Sequence, residues 1–194
     1  RSDTLVFLLK AFNSNPNNYY YCYYLGSAFL EFHEFSDSIK YLEKAVSINP
    51  NYYLAYHNLG VAHRRQGDLN NAKKYFKKTL SLNDKNDYAL YNLGIVYDKQ
   101  GLMNEAISSY ERALKVNPSL VQAIHNIGCI QEKLGKFEDS LISFNSALNI
   151  DKSHVLSLAQ RLKVERQICI WSSYESIQKW HTSGQISHMR IQPR

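Results

Sequence analysis

Rings with chemical potential recur at one spacing in this chain: Tyr23, His57, Tyr91 and His125 stand 34 residues apart. The following position holds Tyr24, Asn58, Asn92 and Asn126, and a third row holds Arg65, Lys99 and Lys133. An imidazole can ligate a metal or carry a proton, so catalysis is the first reading to weigh. If each period is a pair of packed helices about 8–10 Å apart, His57 and His125 lie roughly 20 Å apart along one row of helices, too far to share an ion. The chain has no His-Glu-x-x-His, no phosphate loop, no paired Cys-x-x-Cys and no Gly-x-Ser-x-Gly. A periodic array also supplies no closed pocket in which to desolvate a reaction. The sequence therefore predicts no catalytic residue, no metal and no cofactor, and points to binding.

The elements that must position these rows are set by punctuation. Pro16, Pro50 and Pro118 fall on the same 34-residue period, as do Gly26, Gly60, Gly94 and Gly128, while Gly67, Gly101 and Gly135 each follow a member of that series by seven residues. Between the marks, apolar and small residues recur at helical spacing, as in Ala89, Leu90, Leu93, Val96 and Tyr97, then Met103, Ala106, Tyr110, Ala113 and Leu114. Two amphipathic helices per period follow. Gly101 stands where the first can end in a left-handed cap, and Pro118 follows the second, which it cannot continue. Glycines inside the helices cost propensity, so they are expected where neighbouring helices approach closely.

This pattern, with Leu59-Gly60, Gly67, Ala72 and Phe76 in one unit and Leu93-Gly94, Gly101, Ala106, Tyr110 and Pro118 in the next, resembles the tetratricopeptide repeat (TPR) family. The resemblance implies an all-α fold: a right-handed superhelical solenoid of antiparallel helix pairs with a C-terminal capping helix. It divides the chain into a truncated repeat in residues 1–18, contributing only a second helix, repeats in 19–52, 53–86, 87–120 and 121–154, a helical cap in 155–182 and a tail in 183–194. In the family the first helix of each pair lines a concave groove. That places Asn58, Asn92 and Asn126 in the groove, with Tyr23, His57, Tyr91 and His125 beside them and Arg65, Lys99 and Lys133 as a basic edge.

An asparagine amide both donates and accepts, so such a ladder can pair with the backbone of an extended peptide whatever its side chains. Rungs on the order of 10 Å apart would meet every third residue of a chain that advances about 3.3 Å per residue. The rings add apolar contact, and the basic edge favours an acidic or phosphorylated segment. Replacing the three asparagines together by alanine is expected to weaken binding and leave stability nearly unchanged. Family members that clamp a chaperone's C-terminal carboxylate use Lys, Asn, Asn, Lys and Arg at set positions. Tyr23, Ser27, Asn58, Tyr88 and Asn92 stand there, so only Asn58 matches.

The net charge of +6 raises nucleic acid as a partner. The densest basic cluster, Lys73, Lys74, Lys77 and Lys78, reads instead as the solvated face of a second helix, and no repeated base-reading code is present. Cys22, Cys129 and Cys169 have no paired spacing, which suits a reducing compartment, and no apolar run is long enough to span a membrane; a cytoplasmic location is expected. The chain begins at Arg1, which reads as a fragment or processed protein, and its front end leaves self-association open. After residue 154 the marks vanish. Val155, Leu156, Leu158, Leu162 and Ile168 are expected to cover the last repeat, with a second, shorter helix around Ser173 to Trp180.

The asparagine row resembles that of O-linked N-acetylglucosamine transferases, and Cys169-Ile170-Trp171-Ser172-Ser173-Tyr174 is similar to the Cys-x-Trp-x-x-Tyr stretch that joins repeats to catalytic region in those enzymes. Two functions follow as expectations. One is a protein–protein interaction scaffold gripping an extended peptide; the other is the substrate-recruiting arm of a larger transferase whose catalytic domain is not in this chain.

Overall fold

The computed structural model describes the backbone of residues 2–182 and the side chains of residues 4–169. The described residues are all helix and connecting turn. In chain order the helices are α1 (Ser2–Ser14), α2 (Tyr19–Glu31), α3 (Phe35–Ile48), α4 (Tyr53–Gln66), α5 (Leu69–Leu82), α6 (Asp87–Lys99), α7 (Met103–Val116), α8 (Val121–Lys133), α9 (Phe137–Ile150) and α10 (Val155–Thr182). They fall into two compact units, residues 1–123 and 124–194, with the division inside α8.

Each turn has a local cause. Asn18, Asp68 and Asn86 cap α2, α5 and α6 by accepting the backbone N–H of Tyr20, Asn71 and Ala89, so the first turn of each helix does not leave those donors bare. Front helices end in a left-handed residue: Gly67 and Gly101 adopt φ of 87° and 76°. Beside Gly101, the Leu102 N–H returns to the Tyr97 carbonyl and the Gly101 N–H to Asp98, the pairing of a Schellman cap. The first unit keeps the same turn without glycine, and His33 takes φ of 64°.

Back helices end on a second device absent from the sequence reading. Asn49, Asn83, Asn117 and Asp151 recur at 34 residues, each extended, and each side-chain oxygen accepts the backbone N–H two residues on. These Asx turns aim the chain into the next front helix. Pro50 and Pro118 reinforce two of them, because a residue before proline is driven from helical to extended backbone.

In the 1–123 unit the core alternates front and back contributions: Leu25, Leu59, Leu90 and Leu93 from the front helices, Leu42, Phe76 and Tyr110 from the back, with Ala28, Ala45, Ala55, Ala62, Ala72, Ala106 and Ala113 filling the close approaches. Within each hairpin the back-helix side chain presses on the front-helix glycine. A Cβ on Gly94 would lie 2.5 Å from Tyr110 Cε1. Gly60 stands in the same relation to Phe76.

In the 124–194 unit α9 buries Ser140, Phe144 and Ala147, and α10 packs on α9. The expectation for this last helix is corrected in two ways. Val155, Leu156, Leu158 and Leu162 are exposed, and the residues that seat α10 are Ser157 and Val164, fully buried. They fall one period after Ala123 and Ile130, so α10 keeps the register of a front helix and its apolar row faces away. Leu162 stands where the four earlier front helices carry glycine. The backbone of α10 also runs unbroken to Thr182, with no separate helix starting near Ser173. Residues 183–194 lie outside the described residues.

Candidate functional site on the front-helix face

The front helices of the 1–123 unit, α2, α4 and α6, touch one another directly. Each back helix reaches the next hairpin through a front helix, α3 on α4 and α5 on α6. The front row is therefore the crowded, inner side of the stack, where side chains from successive periods come together.

The asparagines are less open than the ladder expectation required. Asn58 donates its amide N–H to Ser27 Oγ at 2.8 Å, crossing from α4 to α2. Asn92 turns back along its own helix, donating to the Tyr88 carbonyl at 2.8 Å, and is only 7% exposed. Both amides thus carry internal hydrogen bonds, so their removal costs stability as well as surface. The expectation that alanine would leave stability nearly unchanged is corrected on this ground for Asn58 and Asn92.

The ring row is also turned inward. His57 packs on Phe76 with ring centroids 5.8 Å apart, and Tyr91 on Tyr110 at 5.8 Å. Burial lowers His57 to about 4, and the Arg64 charge acts in the same direction, so this imidazole is neutral near pH 7. Tyr23 lies edge-on to Tyr52 at 5.0 Å. Burial pushes its hydroxyl up, while hydrogen bonding with Ser27 and Asn58 pulls the other way.

Three front-helix rings that the sequence reading did not count among the binding residues are well exposed. Tyr20, Tyr24 and Tyr88 are 45%, 53% and 59% exposed. Tyr20 stacks on Tyr19 at 4.2 Å and meets Tyr52 edge-on at 5.7 Å, so this ring is held by others. Their signal was present: Tyr20 and Tyr88 share one position of the period, but Leu54 and Gln122 interrupt the row.

Near the C-terminal ends of α4 and α6 Arg65 and Lys99 are exposed, while exposed Glu31 holds the same position of the period on α2. Arg65 lines a cleft of about 340 Å³ with Leu30, Glu31, His33 and Val61. Arg64 beside it is half-buried, and among the described residues no acceptor reaches its buried Nε. Burial, then the neighbouring Arg65, lowers the Arg64 guanidinium below its ordinary value. On the back helices a cleft of about 470 Å³ is lined by Lys77, Tyr97, Asn104, Glu105 and Arg112, a mixture of charges with no preference of sign.

In the 124–194 unit His125 packs on Phe144 at 5.6 Å, and its Nδ1 lies 3.0 Å from Ser157 Oγ. Its Nε2 is 3.4 Å from Cys129 Sγ, and burial followed by the nearby His154 lowers its pKa. Asn126 is half-buried and Lys133 exposed. Among the described residues no group of three or more His, Cys, Asp or Glu is placed to hold a metal, and no helix is long and apolar enough to cross a membrane.

Tetratricopeptide repeat models match residues 51–119, 19–52 and 121–154. The chain belongs to the tetratricopeptide repeat family. The crystal structure of MamA is similar at 26% identity and a TM-score of 0.72, over 78% of this chain and 88% of that one. A thermophilic TPR protein of Thermus thermophilus, TTC0263, shares the fold at 18% identity and a TM-score of 0.67, over 82% of this chain and 88% of that one. No curated protein matches significantly. TPR proteins generally mediate protein–protein interactions, and the front-helix glycines and left-handed caps described above are the TPR marks read at atomic detail.

Proposed function

We propose that this TPR chain is a protein–protein interaction scaffold that takes an extended peptide along its front-helix face. The observation that carries the reading is the exposure of Tyr20, Tyr24, Tyr88, Arg65 and Lys99 on helices whose other faces are buried in the stack. Large, stiff rings held by their neighbours give contact area at low entropic cost, and exposed cations at the far edge select for acidic side chains. Asn58 contributes from within the face. The transferase-arm reading rests on the stretch beginning at Cys169; of it only the exposed Cys169 side chain lies among the described residues.

A random peptide library panned on the immobilised chain tests the proposal. Recovered peptides are expected to bind Lys74→Glu, a change on the exposed side of back helix α5, as they bind wild type, and to lose about tenfold or more on Tyr88→Ser or Arg65→Glu. Loss on Lys74→Glu with both front-helix variants unaffected would refute it.

A further inference from the structure

In the 124–194 unit Cys129 follows His125 by one turn of α8, and the hydrogen bonds around the pair run in one direction. The Ser157 backbone N–H donates to His154 Nδ1 at 3.3 Å, so that nitrogen carries no proton. The Ser157 hydroxyl, 2.7 Å from the same nitrogen, therefore donates to it as well. Its oxygen is left to accept, and His125 Nδ1 lies 3.0 Å away, so His125 holds its proton on Nδ1. The lone pair is then on Nε2, and Cys129 Sγ lies 3.4 Å from it. Ser157 is fully buried, which keeps water from competing for its hydroxyl. Burial, then His154, lowers the His125 pKa, so the ring is neutral near neutral pH and able to take a proton.

The same ring position elsewhere lacks this arrangement. His57 stands two periods earlier, but Val61 holds the place of Cys129 and Ala89 the place of Ser157. The buried His57 Nδ1 has no hydrogen-bond partner among the described residues, and the ring packs on Phe76. Thiol and hydroxyl arrive together at His125. The three cysteines also differ in access: Cys22 is buried, Cys169 exposed and Cys129 half-buried, within reach of a small reactant.

We propose that Cys129 is a nucleophilic thiol that exchanges with low-molecular-weight disulfides, with His125 as its base and Ser157 and His154 as positioning residues. His125 Nε2 takes the thiol proton as Sγ attacks one sulfur of the disulfide. The new S–S bond forms as the old one breaks, and the departing thiolate takes the proton from Nε2. Cys129 is oxidised to a mixed disulfide, and the other half of the reactant leaves reduced, as a thiol.

The probe is dipyridyl disulfide near neutral pH, with the adduct at each cysteine followed by peptide mass spectrometry in the folded chain and in urea. Cys129 is expected to react about tenfold or more faster folded than unfolded, since base assistance outweighs its partial burial. An unassisted half-buried thiol reacts more slowly folded. His125→Gln is expected to slow Cys129 in the folded chain about tenfold or more, and Ser157→Ala by a smaller factor, with Cys169 in the same sample unchanged and circular dichroism confirming the fold. Cys129 reacting more slowly folded than unfolded would overturn the proposal, as would a His125→Gln chain that matches wild type at Cys129. Should His125→Gln fail to fold, Ser157→Ala decides, because it removes only a hydroxyl: an unchanged Cys129 rate then rejects the relay.

Discussion

Gly94→Ala tests the contact on which the hairpin stack depends. At an unobstructed helical site alanine stabilises relative to glycine by about 1 kcal/mol. Here the new Cβ would stand 2.5 Å from Tyr110 Cε1, 2.6 Å from Cδ1 and 2.9 Å from Cζ, whereas ordinary contact begins near 3.4 Å. The ring must retreat by about 1 Å, and it is fully buried with Tyr91 beside it. Overpacking of this kind costs about 1–3 kcal/mol. Taking about 3 for a ring with no exit and subtracting the helical gain leaves a net loss of about 2 kcal/mol. For a chain of this size that lowers the melting temperature by about 4–8 °C in a circular dichroism melt. A double-mutant cycle isolates the cause: with Tyr110→Ala in place the obstruction is gone, and Gly94→Ala is expected to become stabilising by about 1 kcal/mol. A Gly94→Ala melt at or above wild type, together with coupling below about 0.5 kcal/mol, would refute the reasoning.

Three further outcomes follow from single contacts. His33 adopts the left-handed φ of 64° that the other front-helix caps give to glycine; His33→Gly relieves a strain of about 1 kcal/mol and is expected to raise the melting temperature, so an unchanged or lower value would count against a strained turn. Asn58→Ala removes the hydrogen bond to Ser27 and is expected to cost about 1 kcal/mol by urea titration. Adding Ser27→Ala to that variant should then cost little, and fully additive losses would deny the pair. Burial holds His57 at about 4 against an ordinary 6.5. The unfolded chain takes up this proton as pH falls through 6.5 while the folded chain does so only near 4, so stability is full above that window and declines across it. His57→Phe is expected to flatten part of that acid loss in a series of urea titrations, and an identical slope would remove His57 as a cause.

The hairpins were legible because their signals are local. A proline restricts the residue before it, and a glycine at Gly67 or Gly101 accepts a left-handed φ, whatever the rest of the fold does. The back-helix endings at Asn49, Asn83, Asn117 and Asp151 were equally periodic, but their function as Asx turns needs the extended backbone that only the structure displays. At α10 the apolar residues counted correctly yet pointed the wrong way. Leucines at Leu158 and Leu162 outweigh Ser157 in hydrophobicity, but register with the preceding hairpin determines which row is seated.

The front-helix rows divide in the same way. By itself the sequence determined that Asn58, Asn92, Arg65 and Lys99 recur on one row of helices, because a period of 34 residues brings each back to the same helical position. It did not determine which of them face solvent. Asn92 bends to its own helix, Asn58 crosses to Ser27, and Tyr20 and Tyr88 stand out in a row whose intervening Leu54 hid the pattern. For Asn58 the outcome depends on the neighbour on the next front helix, Ser27, a contact between residues about one full period apart in the chain, and packing rather than local propensity decides it.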